Sequence, residues 1–461
     1  MKLKTFLASV LMAGAMTTWA AAPKYIFYFI GDGMGMGQIS CAQGYVRAVA
    51  GPDSLLTMMK FPVASYAFTQ SASSPVTDSA AAGTALATGH KTNNGMLGVT
   101  PDTTSVQSIA VDLKKRGYGI GLVTTVAPDD ATPAAFYAHV PSRSMFYEIG
   151  KDAAASGFEF IAGANLRGTK TNGKPNDLLK VFAENNVSVV RGLDGLKKAN
   201  SKKVLLLNTD SVSMNEVGMA IDSLDNVLTL PGMTRACLDH LMANSPKKFF
   251  MMVEGGSIDH AGHANDGAGN VIETVNFNNA LAIAYEFYKK HPKETLILVT
   301  ADHETGGMSL ASPGLSYYAR LELLQYVKMS KDRFGQEVRA MLKSRRAYTW
   351  SDMKEFLSEN LGLYSHIPVS ERENARLMET FAKTFVLQNS DEEKTMYNNY
   401  NEFESAVFKV ISNETGIGWT TSAHSGGVVP VYAIGDGAYK FAGAQDNTDL
   451  PKKIRELVGI K

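Results

Sequence analysis

Short, unbroken apolar runs punctuate the chain at residues 25–30, 119–125, 204–207, 249–253 and 295–300. Each is bounded by glycine or polar residues and is shorter than an ordinary helix. Continuous apolar character, rather than alternation, marks a strand covered on both faces. Between the runs lie stretches with apolar residues at helical spacing, at 104–116 and 270–290. Strands alternating with helices predict βαβ units, hence a three-layer αβα fold of the α/β class around a large, mostly parallel sheet. In such sheets ligands bind beyond the carboxyl ends of the strands. The loops after Ile30, Val253 and Thr300 are therefore expected together at one sheet edge.

The rhythm stops between about residues 308 and 420. This tract is charged and helical, as at 317–343 and 350–361, and carries no strand of comparable quality. It reads as a mainly helical insertion packed outside the sheet, within one catalytic domain covering residues 23–461. An apolar run at 428–434 then restores the strand pattern. No repeat and no low-complexity tract is present.

At the start of the chain, Lys2 and Lys4 precede an apolar segment at 6–19 and then Ala20, Ala21 and Ala22. That order is a secretory signal peptide over residues 1–22, too short to span a bilayer as a helix. Export to the periplasm or the outside is expected, with no membrane span. Export would permit a bridge between Cys41 and Cys237. The expectation is instead that both are reduced and buried, since a free cysteine packs as a small hydrophobe. The 45 basic residues balance the 45 acidic ones, so charge gives no reason to expect a nucleic-acid partner.

Candidate chemistry sits at the predicted strand ends. Ile30 is followed by Gly31, Asp32 and Gly33; Val253 by Glu254, Asp259, His260 and His263; Thr300 by Asp302 and His303. Far downstream, His424 stands in a Ser422–Gly427 stretch rich in small residues. Mixed carboxylate and imidazole donors suit zinc or a similar divalent ion. One Asp alone is as readily a turn residue, and a lone histidine such as His139 or His240 reads as structural. Convergence of three strand ends is what favours a metal site. The glycines at 31–37 fail the dinucleotide spacing in every register.

A second signal is Asp78-Ser79 opening an alanine-rich helix. Free N–H groups at a helix start favour an anion, and the small residues at 80–83 suggest room beside Ser79, although a plain helix cap would use the same residue type. A third is Asp130-Ala131-Thr132 followed by Arg143, a planar donor matched to a phosphate oxygen pair.

Taken jointly and in order, Asp78-Ser79-Ala80, the 253–263 motif and the 300–307 motif resemble the alkaline phosphatase family, over roughly residues 24–307 and 415–440. The resemblance implies hydrolysis of phosphate monoesters by Ser79, two zinc ions and one magnesium ion per subunit, and a homodimer. It implies Asp259, His263 and His424 as ligands of the first zinc. Asp32, Asp302 and His303 would hold the second, which Ser79 also meets. Asp32, Thr132 and Glu254 would hold magnesium, and Arg143 would clamp the phosphate. Asp130 is expected to accept hydrogen bonds from waters on the magnesium, and His260 to reach the phosphate, directly or through water. Family members vary at both positions. Related sulfatases use a C/S-x-P-x-R motif, and residues 73–77 lack its arginine. Related phosphodiesterases often use Thr where this chain has Ser79. An exported binding protein without turnover is the reading from another class.

Overall fold

The computed structural model describes residues 22–209, 216–311, 315–344 and 346–460. Apart from Ala22, the expected signal peptide lies outside the described residues. The five predicted apolar runs are strands, and fully buried ones. With five further segments they build one sheet: β1 (Tyr25–Gly31), β2 (Val63–Phe68), β3 (Gly119–Thr124), β4 (Phe160–Gly163), β5 (Ser188–Arg191), β6 (Val204–Leu207), β7 (Phe249–Glu254), β8 (Thr295–Ala301), β9 (Val429–Gly435) and β10 (Ala444–Asp446). Their spatial order is β10-β2-β9-β8-β1-β7-β3-β4-β6-β5. All neighbours run parallel except the two pairs that flank β9.

Register decides where the chemistry falls. β1 lies between β7 and β8, with Ile30 opposite Glu254 and Gly31 opposite Ala301. The three ligand-bearing loops thus leave the sheet side by side at its carboxyl edge. β9 is antiparallel to β8, so its starting end, just after His424, lies at that same edge. The direction of this strand brings a histidine more than a hundred residues away from its partners to the site.

The helices follow their capping residues. α1 (Ser79–Thr88) begins after Asp78. α2 (Ile109–Lys115) is shorter than the periodicity at 104–116 suggests, because the Ser108 side chain accepts the Val111 N–H and starts the helix there. α3 (Ser257–His263) leads into α4 (Gly267–Lys290), capped by Asp266. In the 308–420 tract, α5 (Lys331–Lys343), α6 (Trp350–Leu361), α7 (Glu371–Phe381) and α8 (Glu402–Thr415) form. The stretch at 317–343 is not one helix: Leu321–Tyr326 is a 3-10 turn, and the Ser330 cap starts α5 afresh. A two-stranded hairpin, Glu392–Lys394 with Asn399–Asn401, interrupts the helices.

Two hydrophobic clusters result. One fills the space between sheet and helices. The other gathers Phe334, Leu357, Leu377, Phe381, Phe403 and Val407 of α5–α8 with Ala261 of α3 and Val271 of α4. The helical tract therefore shares its core with the helix that carries Asp259 and His263. Cys41 and Cys237 are buried free thiols. Among the described residues no helix is long and apolar enough to cross a membrane.

Candidate active site

Ser79 is the first residue of α1 and is buried. Asp78, not Ser79, caps the helix: its Oδ1 accepts the Ala81 N–H at 2.9 Å. The Ser79 hydroxyl is thereby free of capping, and its Oγ lies 3.2 Å from His303 Nε2. The small residues behind it have a packing role as well. A Cβ on Gly83 would stand 3.2 Å from Thr132 Cα, so α1 and the Thr132 segment touch backbone to backbone.

Asp259, His263 and His424 form one donor group. His263 Nε2 lies 3.0 Å from His424 Nε2 and 3.4 Å from Asp259 Oδ1, and His424 Nε2 lies 3.5 Å from the same oxygen. Each ring's Nδ1 faces a carbonyl, Ser422 O for His263 and Thr77 O for His424. A carbonyl accepts only from an N–H, which fixes the proton on Nδ1 and turns the Nε2 lone pairs toward each other and toward the carboxylate. Asp32, Asp302 and His303 form a second group, with His303 Nε2 3.3 Å from Asp32 Oδ1 and 3.2 Å from Asp302 Oδ2. The groups adjoin: the His303 and His424 rings stack at 3.6 Å, and His303 also falls within reach of Asp259 and His424. On the other side of Asp32, Thr132 Oγ1 lies 3.5 Å from its Oδ2. Glu254 is wholly buried at the end of β7.

Arg143 is fixed by two carboxylates, Asp78 Oδ2 at 3.2 Å and Asp130 Oδ1 at 3.1 Å. Asp130 is more heavily engaged than its sequence context suggested. It precedes the short Ala131–Ala134 helix, and its other oxygen pairs with Arg167 at 2.9 Å. His260 turns Nδ1 to Glu216 Oε2 at 3.2 Å. His139 is exposed, and His240 faces the Lys202 carbonyl away from the site.

Four contributors were given no role by the sequence. Thr305 Oγ1 donates to Asp259 Oδ1 at 2.5 Å. Tyr397, from the helical tract that carries none of the proposed metal ligands, donates to Asp259 Oδ2 at 3.0 Å. Glu216 and Arg167 orient His260 and Asp130. Only Thr305 had a signal, its place within the 300–307 motif.

A family model described as alkaline phosphatase matches residues 23–172 and 144–460. The chain belongs to the alkaline phosphatase family. Among its relatives, alkaline phosphatase 4 of Bacillus subtilis is 33% identical over 83% of this chain and 77% of its own length. Alkaline phosphatase 3 of the same organism is 31% identical over 94% of this chain and 88% of its own. A cold-active alkaline phosphatase from Shewanella sp. has the same fold, with a TM-score of 0.79 and 30% identity over 94% of this chain and 99% of its own. The chain is thus a phosphatase, and phosphate monoester hydrolysis is the reaction of its family.

The electrostatics of this alkaline phosphatase site ask for cations. Asp32 Oδ1, Asp302 Oδ2 and both Glu254 oxygens are buried without a hydrogen-bond partner. Burial, then the neighbouring carboxylates Asp302, Asp259 and Glu254, pushes Asp32 well above the usual carboxylate range. Burial likewise raises Asp302 to about 7, with Asp259 adding to it, and Glu254 to about 8. Burial acts the same way on Asp259, but His263, His424 and His303 outweigh it and hold this group well below the range. His303 is held well below the usual imidazole value by burial and by His424. Buried, unpaired carboxylate oxygens beside aimed imidazole lone pairs fit divalent cations, which satisfy both at once.

Proposed function

We propose that the chain hydrolyses phosphate monoesters through a phosphoserine at Ser79, with two zinc ions and one magnesium ion per subunit. One observation carries the reading: a buried serine hydroxyl at a helix start, 3.2 Å from His303, where two donor groups adjoin. Asp259, His263 and His424 would hold the first zinc, Asp32, Asp302 and His303 the second. Asp32, Thr132 and Glu254 offer only oxygen, which suits magnesium. Bound there, the cations would lower the pKa of the serine hydroxyl and offset charge on the attacking and leaving oxygens.

The protein groups do the rest. Arg143, oriented by Asp78 and Asp130, meets two non-bridging phosphate oxygens with its fork of N–H donors. The start of α1 adds its free N–H groups. Ser79 Oγ loses its proton and bonds to phosphorus as the ester P–O bond breaks, and the ester oxygen leaves as an alcohol. Water then attacks the phosphoserine, inorganic phosphate departs, and Ser79 Oγ regains a proton. Asp130 would accept from magnesium-held waters, and His260 would reach the phosphate.

The test uses a chromogenic monoester and a labelled one. Ser79→Ala is expected to fold, to lose turnover and to form no phosphoenzyme. Label on any other residue overturns the assignment. The remaining proposals are export after loss of residues 1–22 and assembly as a homodimer, with the 308–420 tract at the pocket rim or the interface. N-terminal sequencing of the exported protein and light scattering test these. A monomer at working concentration excludes the dimer.

A further inference from the structure

The hairpin Glu392–Lys394/Asn399–Asn401 projects from the helical tract toward the carboxyl edge of the sheet, and its turn is tightly held. Thr395 N donates to Asn398 O at 2.9 Å, and Asn398 N donates back to Thr395 Oγ1 at 3.3 Å. Asn398 Nδ2 donates to Asp332 Oδ2 of α5 at 2.9 Å, and the Tyr400 hydroxyl donates to the other oxygen of the same carboxylate. Within this turn Met396 faces solvent, 57% exposed. Tyr397 faces the site. Its ring lies 3.9 Å from the His260 ring and 5.2 Å from the His263 ring, and its hydroxyl reaches Asp259 Oδ2.

Tyr397 and Ser79 meet different parts of the double donor cluster. Ser79 contacts His303 of the second group. Tyr397 contacts Asp259 and His263 of the first. In-line displacement at phosphorus puts the leaving oxygen opposite the attacking one, and so on the side of the first group. We infer that Tyr397 is a specificity-determining residue that forms the wall against which the organic part of the ester rests, delivered to the site by the helical tract. This inference rests on the phosphoserine reading above. An aromatic wall favours aryl and other flat apolar leaving groups through ring contact beyond simple burial.

The experiment separates wall from scaffold. In the metal-loaded Ser79→Ala protein, binding of phenylphosphonate and of methylphosphonate is measured by calorimetry, with and without Tyr397→Ala or Tyr397→Phe. Metal content is assayed on each sample. The expected result is that Tyr397→Ala weakens phenylphosphonate about tenfold, changes methylphosphonate less than about twofold, and leaves metal content intact, while Tyr397→Phe restores most of the preference. In the otherwise wild-type enzyme the same change is expected in KM for aryl against small alkyl phosphates. Equal weakening of both phosphonates, or loss of metal, shows a scaffold role through Asp259 and overturns the inference; so does no change in either. Retained turnover in Ser79→Ala alone sinks the phosphoserine reading instead, and the two failures are distinct.

Discussion

Asp78 offers the sharpest quantitative test, because one carboxylate serves three partners. Its Oδ1 caps α1 at Ala81 N, and its Oδ2 accepts from Gly95 N at 3.0 Å and pairs with Arg143 at 3.2 Å. Replacing it with alanine removes a helix cap, ~1 kcal/mol, and a backbone hydrogen bond, ~1 kcal/mol. The ion pair is partly exposed, 23% on the arginine side and 17% on the aspartate. After discounting for solvent it adds roughly 1 kcal/mol or less. The expected loss for Asp78→Ala is therefore about 3 kcal/mol, read as a lower denaturant midpoint at unchanged slope. Asp78→Asn keeps the carbonyl oxygen for the cap and is expected to lose less than half of that. Function should rank differently. Both variants release Arg143 from its second carboxylate, so both should weaken competitive inhibition by inorganic phosphate, by about fivefold to tenfold if ~1–1.4 kcal/mol of orientation is lost. Unchanged phosphate affinity in both variants refutes the view that Asp78 aims Arg143. Equal destabilisation by Ala and Asn refutes the capping part.

Three further outcomes are expected. Glu273→Gln should flatten the pH dependence of stability. Burial, then Glu216 and Asp222, raises the Glu273 carboxyl from 4.5 to about 7, so the folded state holds that proton more tightly than the unfolded one. Its contribution is full below about 4.5 and fades as pH rises through about 7, by up to about 3 kcal/mol; parallel urea curves for wild type and variant from pH 5 to pH 8 contradict this. Gly33→Ala should damage turnover more than folding. Gly33 has φ +69°, and a Cβ there would lie 2.9 Å from Asp259 Cα, so strain of ~1–2 kcal/mol falls between two donor loops; wild-type kcat/KM in the variant excludes it. Exhaustive chelation should abolish activity and lower the melting temperature, with recovery on adding zinc and magnesium; full activity after chelation removes the metal-dependent mechanism.

The legible part of this protein is its local part. Strands β1, β7 and β8 are buried on both faces, so each reads as a bare apolar run. The residues that follow, Asp32, Glu254, Asp302 and His303, stand out because they end such runs. The Asp78-Ser79 pair was visible as the opening of an alanine-rich helix, but that Asp78 rather than Ser79 caps it is a finding of the structure. Strands β2, β4, β5 and β10 were not legible. β2 alternates between buried and exposed positions. β4, β5 and β10 span only three or four residues and, unlike the equally short Val204–Leu207 of β6, include glycine or polar residues, so no unbroken apolar run marks them.

What the sequence by itself determined is the fold class, the family and the residue types at the strand ends, since those depend on short-range pattern and on motif order. The tertiary structure alone decided which distant groups meet them. The antiparallel direction of β9 sets His424 beside Asp259, and the hairpin turn sets Tyr397 against the same carboxylate from 138 positions away. Chain pattern encodes which face of an element is buried; it carries no record of which other element will cover that face. That choice is made by the packing of the whole, where the second hydrophobic cluster binds α5–α8 to α3 and carries Tyr397 in with them.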